Sequence, residues 1–195
     1  PWRSSAASDV YKRQLKDYVK NDGIKRLAKS GVVLENLFCT NAICVPSRAS
    51  ILTGQYSHVN GVYNLPDALD PDSLNVAKVL KNNGYQTSII GKWHLKKEPS
   101  GFDYYKVLPG QGLYNDPYFK TKENWEDGSR GGEKEKGFSA DIIGDSSIEW
   151  LKKIDNKRPF FLMTHFKATH EPFDYPERNK DLNKDVVFPE PSSLY

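Results

Sequence analysis

The sequence predicts an α/β domain built on a mostly parallel sheet. Two short apolar runs carry that expectation, at residues 85–90 and 159–166, and each is followed at once by a polar cluster. Each also follows a helical pattern, and the order helix, turn, strand, polar cluster places functional groups at strand C-termini. The third observation is Cys44-Val-Pro46-Ser47-Arg48, which opens a further helical run ending at Gly54.

A chain of 195 residues suffices for one domain with a sizeable core. Its charge of +3, from 28 basic and 25 acidic residues, is too balanced for a nucleic-acid binder and does not oppose an anionic substrate. No apolar run approaches the ~20 residues of a membrane span. Two cysteines five positions apart, Cys39 and Cys44, make no disulfide framework and leave the redox compartment open. Residues 1–14 lack both the apolar centre of a signal peptide and the alternating run that begins a sheet, so a non-native leader is expected there. Residues 15–195 are then expected to be part of one catalytic domain, continuing beyond both ends.

Taken in order, residues 15–28 show helical spacing (Leu15, Tyr18, Val19, Ile24, Leu27, Ala28), with Gly31 as the stop. Residues 32–38 are short, apolar and β-branched at their start, which predicts a buried strand. Pro46 suits the first helical position. Cys44 would then lie just outside that helix N-terminus, where unpaired amides and the dipole favour an anion and a lowered thiol pKa. Arg48, one turn on, can add a bidentate donor fork. Read by spacing alone, a small apolar filler cysteine is equally consistent.

His58 lies in a polar loop and could reach the site, although an exposed or structural role is favoured. Ser73 is expected to cap a helix carrying Leu74, Ala77, Val79 and Leu80, closed by Gly84. Residues 96–139 are rich in Gly, Tyr, Asp and Lys, and they predict an irregular substrate-side insertion. Its aromatics (Phe102, Tyr104, Tyr105, Tyr114, Tyr118, Phe119, Trp125) could line a sugar cleft or pack the loop onto the core. A helix starting at Ser139 or Asp141 carries Ile142, Ile143, Ile148, Trp150, Leu151 and Ile154 inward. His165 alternates within the last strand and reads as structural, while Lys167 stays ambiguous.

Three segments carry a resemblance to a family. Cys44-Val-Pro46-Ser47-Arg48-Ala-Ser-Ile-Leu-Thr53-Gly54 resembles the signature C-x-P-S-R-x-x-x-L-T-G of type I sulfatases. Gly84-Tyr85-Gln-Thr87-Ser-Ile-Ile-Gly91-Lys92-Trp93-His94 resembles their second signature, G-Y-x-T-x-x-x-G-K-W-H, at every fixed position. In an extended segment Lys92 and His94 would point to the same side. Lys167-Ala-Thr-His170-Glu-Pro172 is similar to the segment K-A-P-H-x-P, with Thr169 in place of the proline.

The resemblance implies an alkaline-phosphatase-like α/β/α sandwich with a mostly parallel central sheet, here incomplete. It implies that Cys44, oxidised to formylglycine by a maturing enzyme, attacks sulfur and ligates a divalent metal, usually Ca²⁺. Arg48 would stabilise the hydrated aldehyde, and Lys92 would bind sulfate. His94 would help break down the covalent sulfate hemiacetal, and His170 would protonate the leaving alcohol. The family's early Asp-Asp metal pair is absent from this sequence. The later metal ligands and a second sulfate-binding lysine are expected beyond Tyr195, so the chain alone is expected to be inactive.

Residues 101–105 and 108–118 resemble a subset of bacterial sulfatases acting on carbohydrate sulfates, which makes an N-acetylglucosamine-6-sulfate type substrate a candidate. By the same analogy the protein is expected in the periplasm or outside the cell. Two alternatives stay open: a phosphonate or phosphate monoester hydrolase sharing the Cys-x-Pro-x-Arg loop, and an inactive relic that binds sulfated glycans.

Overall fold

The computed structural model describes residues 18, 22–34, 36–126 and 130–190. The leader expected at residues 1–14 lies outside the described residues, as do most of the residues predicted to open the first helix. A three-stranded parallel sheet organises the rest. β1 (Gln86–Lys92) is its centre, flanked by β2 (Tyr104–Leu108) on one edge and β5 (Phe160–His165) on the other. Lys92 aligns with Leu108, and Gly91 aligns with His165, so β1 and β5 end together. A second, two-stranded antiparallel sheet joins β3 (Tyr118–Phe119) to β4 (Glu133–Lys134).

The pleat sends alternate residues to opposite faces. On one face Ile89, Tyr105, Val107, Phe161 and Met163 pack with Val45, Ala49 and Leu52 of α2 (Cys44–Thr53) and, past the single-turn α3 (Ser57–Asn60), with Ala77 of α4 (Val76–Asn82). On the other, Ile90, Leu108 and Leu162 pack with Ile143 and Trp150 of α5 (Ser139–Lys153). Helices therefore cover both faces, as a parallel sheet requires. Gly91 has φ +107°, and a Cβ there would lie 1.9 Å from the carbonyl oxygen of His165. Only glycine lets β1 and β5 close together at their functional ends.

Several expectations need correction. The described residues of 32–38 form no strand, and Val32 and Phe38 are 84% and 83% exposed. An apolar run specifies a strand only when a neighbouring strand takes its backbone bonds, and among the described residues none pairs with it. α1 (Asp22–Ser30) forms and stops at Gly31 as expected, yet it buries none of its residues. The cap of α4 is Asn75, whose side chain accepts from the Lys78 amide at 3.0 Å, rather than Ser73. The span 96–139 is less irregular than predicted, since β2 within it is an edge strand of the main sheet. Tyr104, Tyr105 and Val107 are strand formers whose signal was diluted by the surrounding glycines and lysines.

Candidate active site

The site gathers where α2 begins and where β1 and β5 end. Ile43 is the extended residue before α2, and the Ser47 amide donates to its carbonyl at 2.9 Å. Cys44 is therefore the first helical residue and Pro46 the third, two positions deeper than predicted. The chemistry expected of the place persists, because amides in a first turn have no intrahelical acceptor. Cys44 is buried, at 4% exposure. Gly54 closes the helix at φ +69°, donating its amide to Ser50 at 2.8 Å. Neither cysteine forms a disulfide among the described residues. Cys39 Sγ lies 3.3 Å from the Ser47 hydroxyl, bracing the turn that leads into the helix.

Arg48 points from α2 to the two strand ends. Its Nη1 donates to the Lys92 carbonyl at 2.7 Å and lies 3.1 Å from His165 Nδ1. The same Nδ1 is 3.2 Å from the Lys92 carbonyl, so it accepts from the guanidinium in one tautomer and donates to that carbonyl in the other. Burial, joined by the Arg48 charge, pushes His165 down to about 4 and keeps that ring neutral. Burial also pushes Arg48 down to about 10, opposed by Cys44.

Lys92 is 2% exposed and donates to Gln111 Oε1 at 2.6 Å. Burial lowers it to about 8, helped by Arg48 and Lys167 and opposed by Cys44. His94 follows in a left-handed conformation, φ 57°. The strand alternation expected to align Lys92 with His94 therefore stops at Lys92, and a turn brings the imidazole in instead. His94 Nδ1 is buried without a hydrogen-bond partner among the described residues. Burial, then the charges of Lys92, Lys96, Arg48 and His170, push this ring down to about 3.

Beyond β5, Lys167 is buried and donates to the carbonyls of Gln111 and Glu171, each at 3.3 Å. Burial lowers its pKa, and Cys44 opposes the shift. His170 sits at a half-exposed turn with Nδ1 3.0 Å from the Glu171 carbonyl. A proton on Nδ1 would make that bond.

Arg48, Lys92 and Lys167 thus surround Cys44, and none of the three is paired with a carboxylate among the described residues. Clustering three like charges away from water is costly unless an anion joins them. All five residues singled out in the sequence (Cys44, Arg48, Lys92, His94, His170) belong to this cluster. His165, Lys167 and Gln111 were not assigned to it beforehand. His165 was hidden by its strand alternation, while Gln111 carries no local signal at all. His58 lies outside, exposed and stacked on Tyr56 with ring centroids 5.8 Å apart. Among the described residues no group of three or more His, Cys, Asp or Glu could hold a metal ion.

The sequence model of the sulfatase family matches residues 6–187. The chain belongs to the sulfatase family. It is 39% identical over 180 residues to an N-acetylglucosamine-6-O-sulfatase of Bacteroides thetaiotaomicron, covering 91% of this chain and 31% of that protein. An ulvan-active sulfatase of Formosa agariphila is 30% identical, over 84% of this chain and 34% of its own length. A solved structure in complex with its substrate D-glucosamine-2-N,6-O-disulfate superposes with a TM-score of 0.83 at 37% identity, covering 90% of this chain and 35% of that one. The fold is the alkaline-phosphatase-like fold of these neighbours. The chain spans about a third of the length of the relatives it matches.

Proposed function

We propose that the full protein is a sulfuric ester hydrolase that removes sulfate from a carbohydrate, of the N-acetylglucosamine-6-sulfate type. One observation carries this reading: the buried Lys92 and Lys167 and the half-buried Arg48 face Cys44 at a helix N-terminus with no carboxylate paired to them among the described residues. A sulfate ester supplies the missing negative charge. The 39% identity to an N-acetylglucosamine-6-O-sulfatase supports the sugar assignment.

Cys44 is read as the precursor of formylglycine, made by a maturing enzyme, which supplies a hydrated-aldehyde oxygen as nucleophile. The other side chains divide the remaining work. Arg48 steadies the reacting end of Cys44, while Lys92 and Lys167 hold non-bridging sulfate oxygens. His94, pushed down to about 3, stays neutral at physiological pH and can accept a proton there but not donate one. His170, at the water-facing side, donates the proton that lets the sugar oxygen depart. The family's calcium would be held in part by Cys44 as formylglycine; among the described residues no group of three or more His, Cys, Asp or Glu could hold it by itself.

Residues 109–114 are the part of the 96–139 segment that reaches these lysines, and they form the substrate side of the site. Export to the periplasm or beyond belongs to the same reading. Among the described residues no helix is long and apolar enough to cross a membrane.

The test is the full-length protein, co-produced with a maturing enzyme. Sulfate release from N-acetylglucosamine 6-sulfate, with the Cys44 peptide carrying the aldehyde by mass spectrometry, is expected. Faster turnover of a phosphonate monoester, or an unmodified Cys44 in active enzyme, would overturn the reading.

A further inference from the structure

Tyr114 belongs to the segment whose aromatics could have lined a sugar cleft, but its side chain is only 4% exposed. The ring stacks on Phe138, with centroids 5.7 Å apart and planes 22° from parallel. Its hydroxyl donates to the His170 carbonyl at 2.5 Å and accepts from the His170 amide at 3.1 Å. One oxygen therefore grips both backbone polar groups of the residue that carries the proposed proton donor. The same ring lies under the Lys167 ammonium, 4.9 Å from its centroid. Three residues earlier the Gln111 carbonyl also accepts from Lys167, and its side chain accepts from Lys92.

We propose that Tyr114 is a positioning residue: its hydroxyl fixes the turn at His170 so that the imidazole meets the departing sugar oxygen. The inference rests on reading His170 as the general acid. The turn's own bonds, the His170 amide to the Lys167 carbonyl at 3.2 Å and the Phe173 amide to the His170 carbonyl at 2.9 Å, use the same two backbone groups, and the Tyr114 hydroxyl ties both to the neighbouring segment. Proton donation requires heavy atoms within about 2.6–3.2 Å, so small movements of that turn cost rate. Sugar alcohols are poor leaving groups that need the proton, whereas an activated phenol departs without it.

The experiment compares wild type, Tyr114→Phe, His170→Ala and the double variant of the full-length, formylglycine-bearing enzyme. Two substrates are used, N-acetylglucosamine 6-sulfate and an aryl sulfate with an acidic phenol. Tyr114→Phe keeps the stacked ring and removes one oxygen. The expected kcat/KM loss is about 10- to 100-fold on the sugar sulfate, a part of the roughly 10²- to 10⁴-fold that general acid catalysis contributes, and about 3-fold or less on the aryl sulfate. Adding Tyr114→Phe to His170→Ala should cost nothing further on the sugar sulfate, since the two act as one unit.

Asn115→Ala is the tethering control. It breaks a different link between the same two segments, Asn115 Nδ2 to Asp174 Oδ2 at 2.6 Å, and should not change the ratio between substrates. Equal losses on both substrates in Tyr114→Phe, or the same ratio in Asn115→Ala, overturn the positioning role. If His170→Ala also loses both substrates equally, the assignment of the acid itself fails and takes the proposal with it. Hydrogen exchange on the wild type gives a measurement that needs no variant. Slow exchange of the His170 amide supports the grip, and exchange at the rate of an open loop overturns it.

Discussion

The ends of β1 and β5 each bring a lysine and a histidine to one site, yet they treat the histidine oppositely. After β1 the backbone turns through φ 57° and buries His94 with an unpartnered Nδ1 among four other bases. After β5 a longer turn leaves His170 half-exposed, held from behind by Tyr114. Desolvation and neighbouring cations fix the first ring in its neutral form. Access to water lets the second exchange protons. The difference teaches that two histidines of one signature set acquire separate roles from solvation rather than from residue type.

The largest effect comes from removing what both ends face. Cys44→Ala should lower sulfate release by about 10⁴-fold or more, as removal of a covalent nucleophile does. Next, the two lysines should differ. Lys92→Met removes a 2%-exposed ammonium and should cost about 10²- to 10³-fold in kcat/KM, the scale of losing one preorganised donor. Lys167, already holding two carbonyls, should cost about tenfold when changed to Met, the scale of one charge-assisted hydrogen bond. A reversed order would break the comparison.

A pH series sharpens it. Lys92 has its pKa lowered to about 8, so it loses its proton as pH rises through that value. Binding of the sulfate ester should therefore weaken above pH 8, seen as an alkaline limb in kcat/KM. Lys92→Arg should move that limb to higher pH; a limb that stays in place would assign it to another group.

Gly91→Ala tests whether the two ends must touch. The added Cβ would sit 1.9 Å from His165 O at a φ of +107°, so a loss of about 2–4 kcal/mol is expected in denaturant unfolding. The smallest effect is Val32→Ser, at an exposed position, expected to stay within about 0.5 kcal/mol.

The parallel sheet was legible because its cues are local, and so were the five residues proposed for the site. Glycine, strand and polar cluster follow one another within a dozen residues around Lys92 and His94, and a strand runs directly into His170. What was missed is set by tertiary packing. His165 becomes part of the site only because Arg48 reaches across from α2. Gln111 and Tyr114 matter because a loop folds back over two strand ends, which no periodicity encodes. The run at 32–38 failed for the opposite reason: its residues are apolar enough for a core, but no described strand pairs with it.

The division of labour between His94 and His170 is tested most directly by changing each to alanine in the full-length enzyme. The readout is the ratio of kcat/KM on the sugar sulfate to that on an activated aryl sulfate. His170→Ala is expected to lower that ratio about 10²-fold or more, because only the sugar needs the proton. His94→Ala should lower both substrates together and leave the ratio near the wild-type value. A collapse of the ratio in His94→Ala with none in His170→Ala would contradict the assignment of the two strand ends.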